Sequence, residues 1–396
     1  MTSVPTTSRS SPLRSLPAGV WAMGFGSLFM DMSSELIHSL LPIFMVTVLG
    51  ASMVTVGIFE GVAEATAAIT KVFSGAVSDY FGKRKPLMVF GYALAAFTKP
   101  VFALATAVDQ VFAARFIDRV GKGIRGAPRD ALVADLTLPE VRGAAYGLRQ
   151  ALDSVGAWIG PLLAVALMIA FADEIRTVMW FASVPAFIAV TLLVVFVREP
   201  EQATSRAAKR LSLSDAKLLP KRYWLVVALG AVFTLARFSE AFLVLRAQDV
   251  GLELRFVPLV MIVMNLFYAG AAYPAGAAAD RLSARGMLCF GLLLLIAADV
   301  LLAYAGSPAL AFAGAALWGL HMAFTQGLLS KLVANSAPAP LVGTGFGLFN
   351  LASGVALLLA SVVAGVLWSS FGAPATFLGG ACFAALAAIG VLFAAR

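Results

Sequence analysis

The stretch Gly75-Ala-Val-Ser-Asp79-Tyr-Phe-Gly82-Lys83-Arg84 has a second copy in the chain, Gly276-Ala-Ala-Ala-Asp280-Arg-Leu-Ser-Ala-Arg285. A glycine, an aspartate and an arginine keep the same spacing in both copies. The segments 131–147 and 331–347 match each other in the same way. An internal duplication of this kind predicts two halves with one architecture, and it is the most informative feature of the sequence.

The composition indicates a protein that is embedded in a lipid bilayer. Hydrophobic residues make up 61% of the 396 residues and charged residues 13%, against about 45–50% and about 25% in soluble domains. Apolar runs of about 20 residues, each long enough to cross about 30 Å of hydrocarbon, recur along the chain. We predict an all-α membrane protein with twelve transmembrane helices in two pseudo-symmetric six-helix bundles, near residues 18–47, 52–78, 86–106, 110–135, 142–170, 176–197, 223–247, 256–280, 286–306, 309–335, 341–369 and 375–394.

The positions of Lys and Arg predict the orientation of these helices. They concentrate in alternate loops, above all around Lys83 to Lys85 and in the polar segment before Tyr223. Because short cytoplasmic loops carry an excess of Lys and Arg, we expect both termini to be cytoplasmic in a bacterial inner (plasma) membrane. The net charge of +8 comes largely from these loops, so no nucleic-acid partner is expected. The predicted parts are a cytoplasmic tail (1–17), a first bundle (18–198), a cytoplasmic linker (199–222) and a second bundle (223–396).

The loop from Gly75 to Lys85 resembles the signature that members of the major facilitator superfamily carry between their second and third helices. The likeness covers the chain from residue 18 to its end. It implies that family's fold, a secondary active transporter with parallel repeats, and a conformational latch at this loop and its second copy. The residues that carry the latch by this resemblance are Gly75, Asp79, Gly82, Arg84, Asp280 and Arg285.

Motifs of other protein classes are missing from the sequence. No nucleotide-binding loop, metal-ligand spacing or nucleophile with a placed base is visible. Neither an enzyme, a cofactor nor a metal site is therefore predicted. The expected partners are a small-molecule substrate, protons and the lipid bilayer, and a monomer is expected.

The fifth predicted helix contains Gly147, Gly156, Gly160 and Pro161. Their spacing resembles the pattern called the antiporter motif in the same family, although Leu162 and the residues after it replace its trailing glycine pair. Small residues at this spacing also let two helices approach closely, and proline bends a helix. A packing role and a role in export both stay open.

Ionisable residues inside the predicted helices are the main functional signal, because each costs about 2.5–3.5 kcal/mol on insertion scales and usually faces the bundle interior or a wet path. The spacing of Asp31, Glu35 and His38 places them on one face of the first helix. Carboxylates one turn apart repel each other in low-dielectric surroundings, so at least one is expected to exchange a proton near neutral pH. Glu60 and Glu64 repeat the arrangement on the second helix. A buried hydrogen-bonded network is the alternative for both.

The fourth predicted helix carries the most charge. Its spacing allows an Arg115–Asp118 pair and an Asp118–Lys122 pair. The segment Arg119-Val-Gly-Lys122-Gly resembles a family pattern in which the arginine is associated with proton transfer, with Lys122 in place of a glutamine. Gate salt bridges at the cytoplasmic end are predicted for Arg125, Arg129 and Asp135.

Further polar residues complete the predicted substrate and proton sites. His321 and His38 lie on helices of different halves, which makes no spacing motif for a metal. The leading hypothesis is a proton-coupled exporter, an antiporter, of a cationic or amphipathic solute. The alternative is a proton-coupled importer of an organic anion or a metal chelate. The remaining candidates are Arg149, Asp153, Arg237, Glu240, His321 and Asn350.

Overall fold

The computed structural model describes residues 16–81, 83–138, 141–199, 218–278, 282–338 and 341–393. Within these ranges the chain forms α-helices joined by short connections, with a π-helical turn after the first helix and a 3-10 turn at Leu254–Phe256. The helices are α1 (Ala18–Ile43), α2 (Met53–Phe81), α3 (Lys85–Leu104), α4 (Val108–Leu136), α5 (Arg142–Ala170), α6 (Ile175–Phe181), α7 (Ser183–Phe196), α8 (Lys221–Ala236), α9 (Ala241–Asp249), α10 (Leu259–Ala278), α11 (Ala284–Ala303), α12 (Pro308–Ser336), α13 (Val342–Phe371) and α14 (Ala373–Phe393).

These helices confirm the predicted all-α membrane fold. The α6–α7 pair and the α8–α9 pair each correspond to one predicted membrane helix, and every other helix corresponds to one. Eleven spans in the described ranges are long and apolar enough to cross a membrane. The α4 helix is not among them, because charged residues interrupt its apolar sequence.

The predicted membrane helix at 223–247 is confirmed as one span, Lys221–Asp249, but residues 237–240 between α8 and α9 are not helical. Side chains bind backbone groups that the break leaves free: the Ser239 hydroxyl accepts a hydrogen bond from the Ala241 amide, and the Ser361 hydroxyl accepts one from the Ser239 amide. A broken helix inside a membrane is tolerated when its backbone groups find such partners. The break places Arg237 and Glu240 on non-helical backbone.

The duplication in the sequence is visible in the helices. The α4 and α12 helices each have 29 residues and begin at Val108 and Pro308, while α3 and α11 each have 20 residues. Within the first part of the chain, α1 packs on α5 and α7, and α3 packs on α4. Within the second part, α11 packs on α12 and α14, and α13 packs on α8.

Three helix pairs connect the two parts of the chain in the described ranges: α2 with α13, α5 with α10 and α1 with α9. Along the first pair the backbones touch directly: a Cβ atom on Gly57 would collide with the carbonyl oxygen of Ser361, and one on Gly365 with that of Met53. Small residues permit this close approach of membrane helices. The position of the boundary between the bundles, at the predicted linker 199–222, stays a prediction.

The buried apolar residues show where the two parts of the chain are packed together. We call the end of the molecule that carries Lys85, Arg142 and Lys221 the basic end. At the opposite end a single apolar core contains residues of both parts, such as Phe44 and Trp368. At the basic end each part has its own core. The two parts are therefore joined at the opposite end and separate at the basic end.

Candidate functional site

A cavity of about 1050 Å³ lies between the two parts of the chain. Residues of α1, α2, α4 and α5 line one side of it, and residues of α8, α10 and α13 line the other. The lining runs from Asp31 and Glu35 in the middle of α1 to Lys71 and Ala272, which lie in the halves of α2 and α10 that lead to the basic end. The cavity therefore opens at the basic end.

The wall of this cavity is polar and carries charges of both signs. Among the described residues of the wall, acidic and basic side chains are equal in number, five of each, so these residues carry no net charge when all are ionised. Aromatic side chains of Trp158 and Tyr268 also contribute to the wall. The acidic residues are Asp31, Glu35, Glu64, Asp130 and Asp153, and the basic residues are Lys71, Lys122, Arg125, Arg129 and Arg237.

The first polar cluster surrounds His38. Its Nδ1 lies 3.4 Å from Oε2 of Glu35, and its Nε2 lies 3.7 Å from Oε2 of Glu60. The same Glu60 oxygen accepts a hydrogen bond from Nη2 of Arg115 at 3.3 Å. Glu60 and Arg115 are almost fully buried, so this pair is shielded from solvent. The cluster links α1, α2 and α4.

A second cluster connects α4 with α2 and α3. Nη1 of Arg119 lies 3.2 Å from Oε1 of Glu64, whose side chain remains 36% exposed toward the cavity. Nζ of Lys99 lies 2.9 Å from Oδ1 of Asp118 and also donates a hydrogen bond to the Ser34 hydroxyl. Both ion pairs join different helices, because the charged face of α4 turns toward its neighbours.

The predicted pairs within α4 are therefore wrong. Arg115 pairs with Glu60 on α2 and Asp118 with Lys99 on α3, while no ion pair of the Lys122 side chain is found among the described residues. Helical spacing brings side chains to one face, but partners on adjacent helices were closer and more deeply buried.

A third cluster lies nearer the basic end, between α4 and α5. Nη1 of Arg149 donates a 2.6 Å hydrogen bond to Asp153, and Nη1 of Arg129 lies 3.9 Å from the other oxygen of Asp153. Both guanidinium groups also approach Asp130. Arg129 additionally donates to the Ser27 hydroxyl. This network holds the two helices together beside the cavity mouth.

Five charged side chains on the cavity wall have no ion pair or hydrogen bond with any described residue: Asp31, Lys71, Lys122, Arg125 and Arg237. Asp31 lies on α1, Lys71 on α2, Lys122 and Arg125 on α4, and Arg237 directly follows α8. Buried or half-buried charges are normally paired, and Asp31, Arg125 and Arg237 are such charges. Without these partners, the five groups can bind a ligand or water, and Asp31 can also bind a proton.

The predicted gate residues are only partly described. Nη1 of Arg84 lies 2.7 Å from Oδ2 of Asp135 at the basic end. The Arg125 guanidinium stacks on the Tyr92 ring, 4.7 Å from its centroid. Gly82 and Asp280 lie outside the described residues. Gly75 and Asp79 lie in α2, but their side chains are not described, and Arg285 lies in the first turn of α11.

The other predicted site residues lie in the second part of the chain. His321 is buried, and its Nδ1 lies 2.7 Å from the Gly291 carbonyl oxygen. It also lines a smaller cavity of about 200 Å³ beside Arg237. Asn350 lines the main cavity, and Glu240 is half-buried at the helix break. No group of three potential metal ligands occurs in the described part of the chain.

The glycines of α5 pack against α1. A Cβ atom on Gly156 would collide with the Leu28 carbonyl oxygen, and one on Gly160 would lie 2.6 Å from that of Met32. Pro161 follows them and is buried. The packing interpretation of this motif therefore has a direct structural basis, and a role in export stays a proposal.

Lys99 and Tyr92 are functional candidates that our sequence analysis missed. Lys99 is a lysine in an otherwise apolar helix, α3, which is the signal that identified the acids of α1 and α2. Tyr92 had no such signal, since its contacts with Ser27, Arg125 and Arg129 come from other helices.

The family model described as Major Facilitator Superfamily matches residues 23–265 and 228–396. The chain belongs to the major facilitator superfamily. It is a membrane transporter of this type and not an enzyme. An uncharacterized MFS-type transporter from Methanocaldococcus jannaschii is 29% identical over 386 residues, which cover 96% of each chain. The multidrug resistance protein MdtH from Photorhabdus laumondii is 33% identical over 153 residues, 39% of this chain and 37% of MdtH.

Solved structures of the superfamily share the fold of this member. The nucleoside transporter NupG, as a variant, superimposes with a TM-score of 0.81 at 13% identity, over 95% of this chain and 100% of NupG. A bacterial homolog of the human lysosomal transporter Spinster, inward-facing and occupied, gives 0.79 at 15% identity over 98% of both chains. These likenesses confirm the predicted superfamily fold.

Proposed function

We propose that this superfamily member is a proton-coupled transporter that works by alternating access, with its basic end in the cytoplasm of a bacterial cell. The observation that carries the proposal is the cavity between the two parts of the chain, with the unpaired carboxylate of Asp31 on its wall. Ionisable groups inside membrane proteins commonly mark ion and substrate paths. The excess of Lys and Arg at the basic end supports the orientation.

In this proposal the proton binds to the Asp31 carboxylate. The described residues of the wall include equal numbers of acidic and basic side chains, so a proton on Asp31 leaves them with a net positive charge. Loss of that proton restores a free carboxylate. The charge that a solute meets in the cavity therefore depends on the protonation of Asp31.

The first candidate function is export of a cationic or amphipathic solute in exchange for protons. A cation and a proton would compete for Asp31, and this competition is the physical basis of antiport. The Trp158 and Tyr268 rings offer faces on which an organic cation can bind. The partial match to a multidrug resistance protein and the antiporter-like spacing of Gly156, Gly160 and Pro161 support the same direction.

The second candidate is import of an organic anion or metal chelate together with protons. Lys122 and Arg237 are free cations on the cavity wall, and an arginine can bind a carboxylate through two hydrogen bonds. Protonation of Asp31 would then strengthen anion binding, because it removes an unpaired negative charge from the cavity wall. Proton and anion would bind together, which is the basis of symport.

Binding at two pH values distinguishes these candidates. For antiport, labelled tetraphenylphosphonium should bind the purified protein more tightly at alkaline than at acidic pH, and Asp31→Asn should abolish this binding. For symport, labelled benzoate should bind more tightly at acidic pH, and Asp31→Asn should fix its affinity at the acidic value. The exposed Asp109→Asn is the matched control for both probes.

Transport in proteoliposomes tests the coupling itself. An imposed pH gradient should drive uptake of the probe that binds, and Asp31→Asn should remove this response. Uptake that is unchanged when the gradient is collapsed would overturn the proposed proton coupling. A response that Asp31→Asn leaves intact would place the coupling residue elsewhere.

A further inference from the structure

Asp299 is a buried acid outside the main cavity. It lies in α11 with no exposed surface, and neither of its carboxylate oxygens has a hydrogen-bond partner in the described part of the chain. The site that a Cβ atom on Gly380 would occupy lies 2.7 Å from Oδ2 of Asp299 and 2.9 Å from Cε1 of Phe238. The carboxyl group is therefore enclosed between α11, α14 and the α8–α9 break. An ionised carboxylate without partners is strongly disfavoured in such surroundings.

Trp318 supplies an unpaired donor in the same region. Its side chain is fully buried, and its Nε1 has no hydrogen-bond acceptor among the described residues. The Trp318 ring packs against Phe238 with 5.2 Å between the ring centroids. The unpaired donor thus packs against Phe238, and the unpaired acceptor lies beside the same phenylalanine, across the position of a Cβ atom on Gly380. Unsatisfied buried polar groups of this kind are rare in native proteins and are often bridged by water.

The internal repeat gives this pair a counterpart. A shift of 200 residues, the offset between α4 and α12, places Asp299 over Lys99 and Trp318 over Asp118. In the first half, Nζ of Lys99 lies 2.9 Å from Asp118 and joins α3 to α4. The second half keeps two polar residues at the same helix junction, but the acid has changed helix and no cation remains. A proton is the simplest group that can neutralise that acid.

The following titratable groups on the neighbouring elements do not pair with the Asp299 carboxylate, so they do not neutralise it in place of a proton. His321 on α12 is engaged with the Gly291 carbonyl oxygen, and Arg246 on α9 binds the carbonyl groups at the end of α11. Arg237 and Glu240 in the break, Cys289 on α11 and Cys382 on α14 are further titratable groups of these elements, and none of these six is a hydrogen-bond partner of Asp299 within the described residues.

We propose that Asp299 is a second proton-binding site, separate from the cavity. Its carboxyl group holds a proton in the conformation described here and accepts a hydrogen bond from the Trp318 indole N–H through one buried water. The site takes the structural place of the Lys99–Asp118 ion pair of the first half. It does not require that transport be coupled to protons.

Infrared spectroscopy of the purified protein at neutral pH tests this site directly. A protonated carboxylic acid gives a carbonyl stretch separate from the amide bands, whereas a carboxylate does not. We expect such a band in the wild type and its loss in Asp299→Asn, which keeps the shape of the side chain. The exposed Asp109→Asn should leave the band unchanged. An identical spectrum of wild type and Asp299→Asn in this region would overturn the proposal.

Trp318→Phe tests the donor and does not depend on whether Asp299→Asn folds. It keeps an aromatic ring against Phe238 and removes only the N–H group and part of the ring system. Loss of a hydrogen bond to the carbonyl oxygen should move the band to higher frequency. An unshifted band in Trp318→Phe would show that the indole N–H is not the donor and would overturn the proposed pair.

Discussion

Nη2 of Arg255 lies 2.9 Å from Oδ2 of Asp173, and this ion pair joins the two parts of the chain at the end opposite the cavity mouth. Asp173 follows α5 and Arg255 precedes α10, the two helices that also touch across the interface. The side chains are 27% and 38% exposed, so the pair remains in contact with solvent. It reinforces the closure that the shared apolar core provides at this end.

Asp173→Asn should weaken that closure. Asparagine tolerates the left-handed backbone of Asp173, whose φ is 65°, so the substitution removes the charge with little strain. A partly exposed ion pair contributes about 0–1 kcal/mol, and 1.4 kcal/mol corresponds to a tenfold change in an equilibrium. We expect the population of molecules that are open at this end to rise by up to about fivefold. Distances between spin labels on α5 and α10 measure this population.

The matched control for this gate is Glu253→Gln. Glu253 lies 3.5 Å from Nε of Arg255 and is 67% exposed, but it belongs to the same part of the chain as Arg255. Its replacement should leave the distance distribution unchanged. Equal distributions for wild type and Asp173→Asn would show that the ion pair does not contribute to closure.

Arg115→Met should destabilise the protein because it leaves the buried carboxylate of Glu60 without its guanidinium partner. Removal of one member of a buried ion pair costs about 3–5 kcal/mol. The double variant with Glu60→Gln should recover part of this loss, since the carboxylate is then neutral. The free energy of unfolding from reversible denaturant titrations measures both effects, and the exposed Lys83→Ala should change it by less than about 0.5 kcal/mol. A double variant no more stable than Arg115→Met would contradict this account.

Gly156→Ala and Gly147→Ala should behave differently although they lie on the same helix. A methyl group on Gly156 collides with the Leu28 carbonyl oxygen of α1, whereas one on Gly147 meets no atom within 4 Å. Overpacking of this kind costs about 1–3 kcal/mol, and alanine in place of a helical glycine contributes up to about 1 kcal/mol of stability. The temperature of thermal unfolding in detergent should therefore fall for Gly156→Ala only. Equal melting temperatures would rule out close packing of α5 on α1.

Cysteine labelling should reveal the open end of the cavity. In a background without Cys289 and Cys382, Ser154→Cys on the cavity wall should react with a membrane-impermeant maleimide applied to the basic end. Ser361→Cys should not react, because this residue is fully buried between the two parts of the chain. Vesicles of known orientation give the measurement. Reaction of Ser154→Cys only from the opposite end would reverse the assignment of the open side.

The helices could be predicted closely from the sequence because the length of an apolar run is a local property of the chain. All the predicted spans except α4 follow apolar runs, and the repeat of Gly75 to Arg84 indicated the duplication. The break at residues 237–240 could not be predicted, since it contains neither glycine nor proline. Its backbone partners, such as Ser361, lie on another helix.

The sequence predicted which residues lie at the site but not which of them form ion pairs. Helical spacing correctly placed Asp31 and Glu35 on one face, and both line the cavity. It gave the wrong partners for Asp118, because a neighbouring helix brought Lys99 within 2.9 Å. The mutual rotation of two packed helices depends on all their contacts, and periodicity within one helix contains no information about it.

By itself, the sequence determined the class of the protein, the membrane helices, the duplication and the family, since each depends on hydrophobic runs or on motifs within short segments. Only the tertiary structure decided which charges are paired, which are free and which end of the cavity is open. Glu60 with Arg115, Asp173 with Arg255 and the unpaired Asp31 all depend on contacts between helices far apart in the chain. Such contacts form when apolar surfaces pack, and their geometry fixes the electrostatics of the buried groups.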